Sequence, residues 1–190
     1  MIGAQSILVH ACCASCASHV LTHLAGTYDV TAYFYNPNIQ PEREYRLRLD
    51  EMRRVAGRIG VRLIEGDYRT LRWWKEIWIY RDLPERSERC FACYRHRFEV
   101  AARKAAELEI PVFTSTLSVS PHKVFERIAE IGAEAGASYG VAFLAEDFKK
   151  RDGFKKSVEY AREHGLTRQD YCGCLMSLEE ARRRREERGG

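Results

Sequence analysis

Short apolar runs alternate along this chain with longer segments in which apolar positions recur every three or four residues. The apolar runs predict β-strands at residues 7–9, 30–35, 61–65, 111–114 and 141–145. The helical spacing predicts helices over residues 42–57, 70–80 and 94–108, and a further helix that begins at Pro121. Because strands alternate with helices, we predict an α/β fold: a single domain with a mainly parallel, Rossmann-like sheet flanked by helices.

The last part of the chain predicts a C-terminal helical extension. Residues 179–190 hold four consecutive arginines interleaved with glutamates, a pattern typical of a solvated helix face rather than of a nucleic-acid contact. We therefore divide the chain into an α/β domain over residues 1–178, which carries the predicted site, and a charged helical tail over residues 179–190.

Composition narrows the class of protein. The 190 residues are 45% hydrophobic and 31% charged, which excludes a disordered or fibrous chain. Lys and Arg number 31 against 27 Asp and Glu, so the net charge is only +4. No apolar run approaches the roughly 20 residues that span a bilayer. The first six residues show no basic start to a long apolar stretch, so we expect no signal peptide and a cytoplasmic location.

Polar segments follow the predicted strands at the ends where parallel sheets gather their ligands. Cys12 and Cys13 follow the first strand, residues 36–38 the second, Asp67 the third and residues 114–120 the fourth. The site is therefore predicted at one edge of the sheet.

Seven cysteines form three tight groups, which buried structural cysteines have no reason to do. The groups are Cys12, Cys13 and Cys16; Cys90 and Cys93; and Cys172 and Cys174. An odd number of thiols in a cytosolic chain indicates metal binding or redox catalysis rather than a disulfide framework. The spacing leaves three interpretations open: a zinc site, a [4Fe–4S] cluster, or dithiol redox chemistry.

Several other catalytic signatures are missing from the sequence. It contains no Walker P-loop, no G-x-G-x-x-G fingerprint and no G-x-S-x-G nucleophile elbow. A nucleotide cofactor is thus not supported, and electrons would have to arrive through a metal or through the thiols.

Seven separated motifs give the chain a specific resemblance to a known family. They lie at residues 9–16, 33–45, 66–68, 90–97, 113–123, 147–154 and 171–174. In these motifs the chain resembles the cobalamin-independent epoxyqueuosine reductases, the QueH family. Ser15 stands where the family usually has proline, a departure that leaves the cysteine spacing unchanged.

The resemblance implies the last step of queuosine synthesis, in which an epoxide on a modified guanosine of the tRNA anticodon loop is reduced by two electrons. It also implies a [4Fe–4S] cluster held by Cys12, Cys13, Cys90 and Cys93. Cys172 and Cys174 then form a redox-active disulfide pair or, with Cys16, bind a second ion, iron or zinc. The tRNA that carries epoxyqueuosine and an unidentified electron donor are the expected partners, and no membrane is expected.

Epoxide opening needs a Lewis acid or a proton donor at the leaving oxygen. Asp67, Asp147 and His10 are the candidate proton donors, although His10 is equally well interpreted as a hydrogen-bonded structural histidine.

Single-stranded loops are read by stacking on aromatic side chains and by hydrogen bonds to base edges. Tyr35, Asn36, Asn38 and Arg97 are therefore the candidate contacts to the modified base. We expect the three tryptophans at 73, 74 and 78 to be core or lid residues rather than platforms for bases.

Two rival functions remain open at this stage. One is a zinc-stabilised tRNA-binding module without catalysis, and the other is a thiol–disulfide reductase that uses Cys13 and Cys16.

Overall fold

The computed structural model describes residues 4–189 and contains one parallel five-stranded sheet. The strands are β1 (Ser6–His10), β2 (Asp29–Phe34), β3 (Arg62–Glu65), β4 (Val112–Ser115) and β5 (Ala142–Phe143). Their order in the sheet is β3-β2-β1-β4-β5, and every neighbouring pair is parallel. The predicted α/β fold with a parallel sheet is confirmed.

Seven α-helices connect and flank the strands. They are α1 (Ala14–Ala25), α2 (Glu42–Ile59), α3 (Thr70–Ile77), α4 (Glu88–Glu107), α5 (Phe125–Tyr139), α6 (Gly153–Glu163) and α7 (Leu175–Gly189). Short 3-10 helices at Trp78–Tyr80 and Thr116–Val119 extend α3 and follow β4.

The two faces of the sheet bury separate apolar cores, as expected when helices cover both sides. Ile7 and Val9 point into a core shared with α1 and α2. Leu8, between them in sequence, points into the core shared with α4 and α5. Because both faces of β1 are buried, its residues 7–9 form a continuous apolar run in the sequence.

The helix predicted from Pro121 is wrong in its starting point. Residues 121–123 form a turn closed by the Lys123 N–H, which donates to the Ser120 carbonyl at 3.2 Å, and α5 begins only at Phe125. The side chain of Lys123 turns inward to an ion pair with Glu85. A tertiary contact thus delays the helix that the local pattern favours.

From the central strand β1, the strands follow one another outward through β2 and β3 on one side and through β4 and β5 on the other, so the order changes direction between β1 and β4. Such a switch point opens a crevice at the carboxyl ends of the two strands. Cys12 follows β1, and its backbone N–H donates to the side-chain oxygen of Thr116, which follows β4, at 3.1 Å. The first cysteine group therefore lies at the switch point.

The C-terminal helix α7 begins at Leu175, directly after the last cysteine and before the predicted tail at residues 179–190. Arg89 of α4 holds it through an ion pair with Glu180 at 2.9 Å. Residues 1–3, which belong to the stretch expected not to be a signal peptide, and residue 190 lie outside the described residues. Across residues 4–189, no helix is both long enough and apolar enough to cross a bilayer.

Two helical glycines provide a matched test of this packing. A β-carbon at Gly136 in α5 would collide with the carbonyl oxygen of Val141, whereas one at Gly57 in α2 meets nothing within 4 Å. We expect G136A to lower the free energy of unfolding by about 1–3 kcal/mol through overpacking. We expect G57A to raise it by about 0.5–1 kcal/mol, because alanine favours the helix. Urea denaturation of both variants measures the difference, and equal effects would contradict the close approach of α5 to β5.

Candidate cysteine-rich active site

The first cysteine group lies at the turn from β1 into α1. Cys13 precedes the helix in an extended conformation, and Cys16 follows within its first turn. The Sγ atoms of Cys12, Cys13 and Cys16 all lie within 4.8 Å of one another. Among residues 4–189, no other set of three or more Cys, His, Asp or Glu is drawn together this closely. Three sulfur ligands at one point suit a soft metal ion.

Cys12 is the cysteine of this group whose pKa is lowered. The Thr116 hydroxyl donates to its Sγ at 3.2 Å. Hydrogen bonds from Cys13 and Cys16 to Cys12 hold the pKa of the Cys12 thiol well below its usual range. Hydrogen bonding with Cys12 raises the pKa of Cys13 to about 12.

The second group occupies the first turns of α4. The indole N–H of Trp73 donates to Cys93 Sγ at 3.3 Å, and the backbone N–H of Arg86 donates to Cys90 Sγ at 3.4 Å. Burial raises the pKa of Cys90 to about 11. Both sulfurs are therefore held by fixed donors.

The third group is a close pair of unbonded thiols. Cys172 Sγ lies 3.6 Å from Cys174 Sγ and 3.0 Å from the Ser177 hydroxyl, and all seven cysteines are free. The hydrogen bond from Cys174 lowers the pKa of Cys172, and Lys123 acts in the same direction. Gly173 has a φ of +123°, a conformation that side chains rarely adopt, and it brings the two sulfurs to the same side.

Two buried arginines connect the three groups. Arg48 donates to the carbonyl of Cys172 at 3.2 Å, and its charge is also coupled to Cys13. Burial raises the pKa of Cys93, and the guanidinium of Arg97 opposes that shift. Arg97 also contributes to the lowered pKa of Cys12. The three groups thus face a common region.

Several polar atoms around the cysteines are buried without a hydrogen-bond partner, although buried polar groups are nearly always paired. Among them are Arg97 Nε, Asn38 Oδ1 and Gln40 Nε2. Gln40 is itself adjacent to the third group, since its backbone N–H donates to the Gly173 carbonyl at 2.8 Å. Two of these atoms, Arg97 Nε and Gln40 Nε2, are donors, and unpartnered donors beside sulfur ligands fit a bound group that carries acceptor atoms, such as the sulfides of an iron–sulfur cluster. Cysteine sulfur atoms are ligands of both iron and zinc, so these residues fit either metal.

A family model described as epoxyqueuosine reductase QueH matches residues 7–180 of this chain. The chain belongs to the QueH family. Family membership makes it an oxidoreductase and confirms the resemblance drawn from the seven motifs.

Individual relatives named epoxyqueuosine reductase QueH match 90% or more of this chain. The protein from Histophilus somni is 37% identical over 189 residues, which are 98% of this chain and 78% of that protein. The protein from Streptococcus pyogenes serotype M1 is 36% identical over 179 residues, with coverage of 90% and 70%. The protein from Thermotoga maritima is 35% identical over 185 residues, with coverage of 96% and 95%.

In this QueH-family chain, the three predicted proton donors have different surroundings. His10 is buried, with Nε2–H donating to the Tyr35 carbonyl at 3.1 Å and Nδ1 accepting from the Ser115 hydroxyl at 3.0 Å. Burial lowers the pKa of His10 to about 3, so the ring is neutral and both nitrogens are occupied. This geometry favours the structural interpretation of His10.

The two carboxylates are both ion-paired, but one is buried and the other exposed. Asp147 lies 2.9 Å from Lys149 with 8% of its side chain exposed. Asp67 lies 3.3 Å from Arg69 with 75% of its side chain exposed. Asp67 therefore belongs to the surface rather than to the region between the cysteine groups.

The four predicted base contacts are buried side chains. Arg97 donates to Asn36 Oδ1 at 2.6 Å, and Asn36 donates to the Ala11 carbonyl at 2.9 Å. The Tyr35 hydroxyl lies 2.9 Å from His96 Nε2, and Asn38 retains the unpartnered oxygen noted above. Asn36 and Arg97 thus hold the loop after β2 against the first and second cysteine groups.

Sequence reasoning missed four side chains that contact or face the cysteines: Trp73, Thr116, Lys123 and Ser177. Thr116 and Lys123 lie within a matched motif, residues 113–123, but no spacing rule identifies them as neighbours of sulfur. Trp73 lies on the apolar face of its helix. That position predicts only that the side chain is buried, as it is in the structure.

Two of the positive-φ glycines, Gly173 and Gly165, provide a test of the third cysteine group. An alanine β-carbon at Gly173 would lie 2.8 Å from Ile39 Cγ1, while at Gly165 nothing lies within 4 Å. Both substitutions carry the backbone penalty of about 1–2 kcal/mol, but only G173A adds a collision. We expect G173A to lose more stability than G165A and to slow oxidation of Cys172 with Cys174, measured by urea denaturation and by mass spectrometry of the mildly oxidised protein. Equal rates of disulfide formation in the two variants would contradict this role of Gly173.

Proposed function

We propose that this chain reduces the epoxide of epoxyqueuosine in the tRNA anticodon loop to queuosine, the last step of queuosine biosynthesis. The observation that carries the proposal is the group of Cys12, Cys13 and Cys16 at the switch point of a parallel sheet, in a member of the QueH family. The proposed location is the cytoplasm, and an electron donor of unidentified nature restores the reduced enzyme.

In this proposal, Cys12, Cys13, Cys90 and Cys93 hold a [4Fe–4S] cluster, which supplies single-electron transfer when bound. Arg97 lies between the first two cysteine groups and offers a buried unpartnered Nε to an acceptor there. Cys16 is then left as the third thiol beside Cys12 and Cys13; in the alternative division it binds a second ion, iron or zinc, with Cys172 and Cys174 in place of their redox role.

Cys172 and Cys174 are the proposed redox-active pair. Their oxidation to a disulfide releases two electrons and two protons. Removing the epoxide oxygen as water, with an alkene left in the ring, consumes the same number of each. The 3.6 Å separation of the sulfurs and the lowered pKa of Cys172 support this assignment.

Lys123 is the proposed proton donor to the leaving oxygen. Its Nζ lies 2.9 Å from Glu85 and only 9% of its side chain is exposed. Burial lowers the pKa of Lys123, but the charges of Cys172, Tyr94 and Glu85 outweigh burial and hold that pKa well above its ordinary value. A buried ammonium that stays protonated beside Cys172 suits an oxygen that becomes strongly basic as the ring opens.

The first test is the content of iron, zinc and acid-labile sulfide in protein purified without oxygen. We expect about four iron atoms with matching sulfide, because four cysteine thiolates hold such a cluster. An excess of iron over sulfide would indicate the second ion. Zinc alone, with no sulfide after reconstitution, would overturn the reductase and favour the zinc-stabilised RNA-binding module.

The same preparation tests the role of Cys172. We expect C172S to abolish reduction of epoxyqueuosine in tRNA, because the dithiol can no longer close, while tRNA affinity and cluster content are retained. Nucleoside analysis of the treated tRNA measures turnover. Retained turnover would remove Cys172 from the mechanism.

The role of Lys123 is tested with a neutral and a charged replacement. We expect K123M to lower kcat about 100-fold or more, the usual contribution of a positioned proton donor. K123R keeps the positive charge and should retain more activity than K123M. Both variants should keep the iron and sulfide content of the parent, and a K123M enzyme within about twofold of the parent would contradict the assignment.

A further inference from the structure

A large groove opens beside the cysteine site and is used by none of the roles described above. It measures about 1180 Å³ and is floored by Tyr33 and Tyr35 of the β2 segment. We call it the tryptophan groove, after Trp74 and Trp78 on its α3 wall; the C-terminal half of α4 forms the opposite wall. Its volume exceeds the roughly 300–1,000 Å³ of ordinary small-molecule pockets, which suits a segment of a polymer better than a small ligand.

The groove carries a positive charge that the protein itself does not neutralise. Five cations line it against three carboxylates: Arg69, Arg72, Lys75, Arg103 and Lys104 against Glu65, Asp67 and Glu107. All three carboxylates already form ion pairs, with Arg53, Arg69 and Lys104 respectively. Within residues 4–189, no carboxylate lies within 4.0 Å of the side-chain nitrogens of Arg72 or Lys75. These two cations are therefore free to meet an anion.

The two tryptophans of the groove differ in exposure, since Trp74 is half-buried and Trp78 is exposed. Trp73 is buried, but 54% of Trp78 is exposed, and the rings of Trp74 and Trp78 meet edge to face at 5.7 Å. The guanidinium of Arg81 lies 4.4 Å from the centre of the Trp78 ring and is paired with Asp82 at 3.4 Å. Exposed aromatic rings among free cations are the features with which proteins hold single-stranded nucleic acid.

Two residues that line the groove are adjacent in sequence to residues that contact the cysteine site. Trp74 follows Trp73, whose indole N–H donates to Cys93 Sγ. Tyr35, in the floor, precedes Asn36, which accepts from Arg97 between the cysteine groups. A strand of RNA with one base at the cysteines would place its neighbouring nucleotides along this groove.

We propose that the tryptophan groove binds the nucleotides next to the modified base in the single-stranded anticodon loop, with Trp74 and Trp78 stacking on bases and Arg72 and Lys75 contacting phosphates. This inference rests on the proposed function, since it takes tRNA as the substrate. It assigns to the groove the part of the RNA that is not chemically changed.

The test measures the affinity of the anaerobically purified full chain for an RNA anticodon stem-loop with guanosine at the wobble position, over a series of salt concentrations. We expect W78A to weaken binding about 5- to 150-fold, the effect of losing one stacked base. We expect the double variant R72A/K75A to lower the slope of log affinity against log salt by about 1.4, which corresponds to two single-strand phosphate contacts.

Matched controls come from other parts of the surface. Tyr139 at the end of α5 is 37% exposed, and Arg54 and Arg58 lie on α2, which covers the other face of the sheet. Y139A and R54A/R58A should leave both affinity and salt slope unchanged. Iron content and thermal unfolding of each variant verify that the fold and the cysteine site are intact.

The outcomes separate this inference from the proposed function. If the parent protein reduces epoxyqueuosine in tRNA while W78A and R72A/K75A bind RNA as tightly as the parent, the groove assignment is overturned and the reductase stands. If those variants lose turnover only with a protein electron donor and not with dithionite, the groove belongs to that donor, which also overturns the assignment. Failure of the parent to bind the stem-loop or to act on tRNA would overturn both.

Discussion

The site depends on a buried positive charge without a carboxylate partner. Arg97 is 3% exposed, and in the described part of the chain its one close side-chain partner oxygen is that of neutral Asn36, at 2.6 Å. Three other buried cations in the same region, Arg48, Arg89 and Lys123, each have a glutamate. A buried charge is costly unless it is compensated. The sulfur of Cys12, whose pKa Arg97 helps to lower, is therefore part of what permits this interior to fold around a guanidinium.

The fold was readily predicted because its strongest signal is local. A strand buried on both faces must be apolar at successive positions, and Ile7, Leu8 and Val9 satisfy two different cores at once. The start of α5 was not predictable in the same way. Pro121 is well suited to begin a helix, but the inward course of Lys123 toward Glu85, 38 residues away, decides the turn. Local helix propensity does not set the start of a helix where a long-range ion pair stabilises another conformation more strongly.

The site was predicted in outline and not in detail, for a related reason. The cysteines can be recognised in the sequence from their residue type and spacing, and the ends of the predicted strands place them at one edge of the sheet. Thr116 reaches Cys12 from 104 positions away, and Trp73 reaches Cys93 from a neighbouring helix, so only the folded chain reveals these donors. The candidate base contacts Asn36 and Arg97 illustrate the converse. Their chemistry suits RNA, yet in the fold they bond to each other and support the cysteine-bearing segments.

The protonation of the thiols suggests how the three groups divide their work. A cysteine must lose its proton to bind a metal. Burial opposes this deprotonation at Cys90 and Cys93, because it raises the pKa of both thiols. These two therefore serve as ligands only when a cation compensates the charge. Cys172 differs, since Cys174, Lys123 and Ser177 lower its pKa without any metal. A thiolate stabilised by the protein alone is ready for thiol–disulfide chemistry. Cys90 and Cys93 thus differ from Cys172, whose pKa the protein itself lowers, as it also does at Cys12.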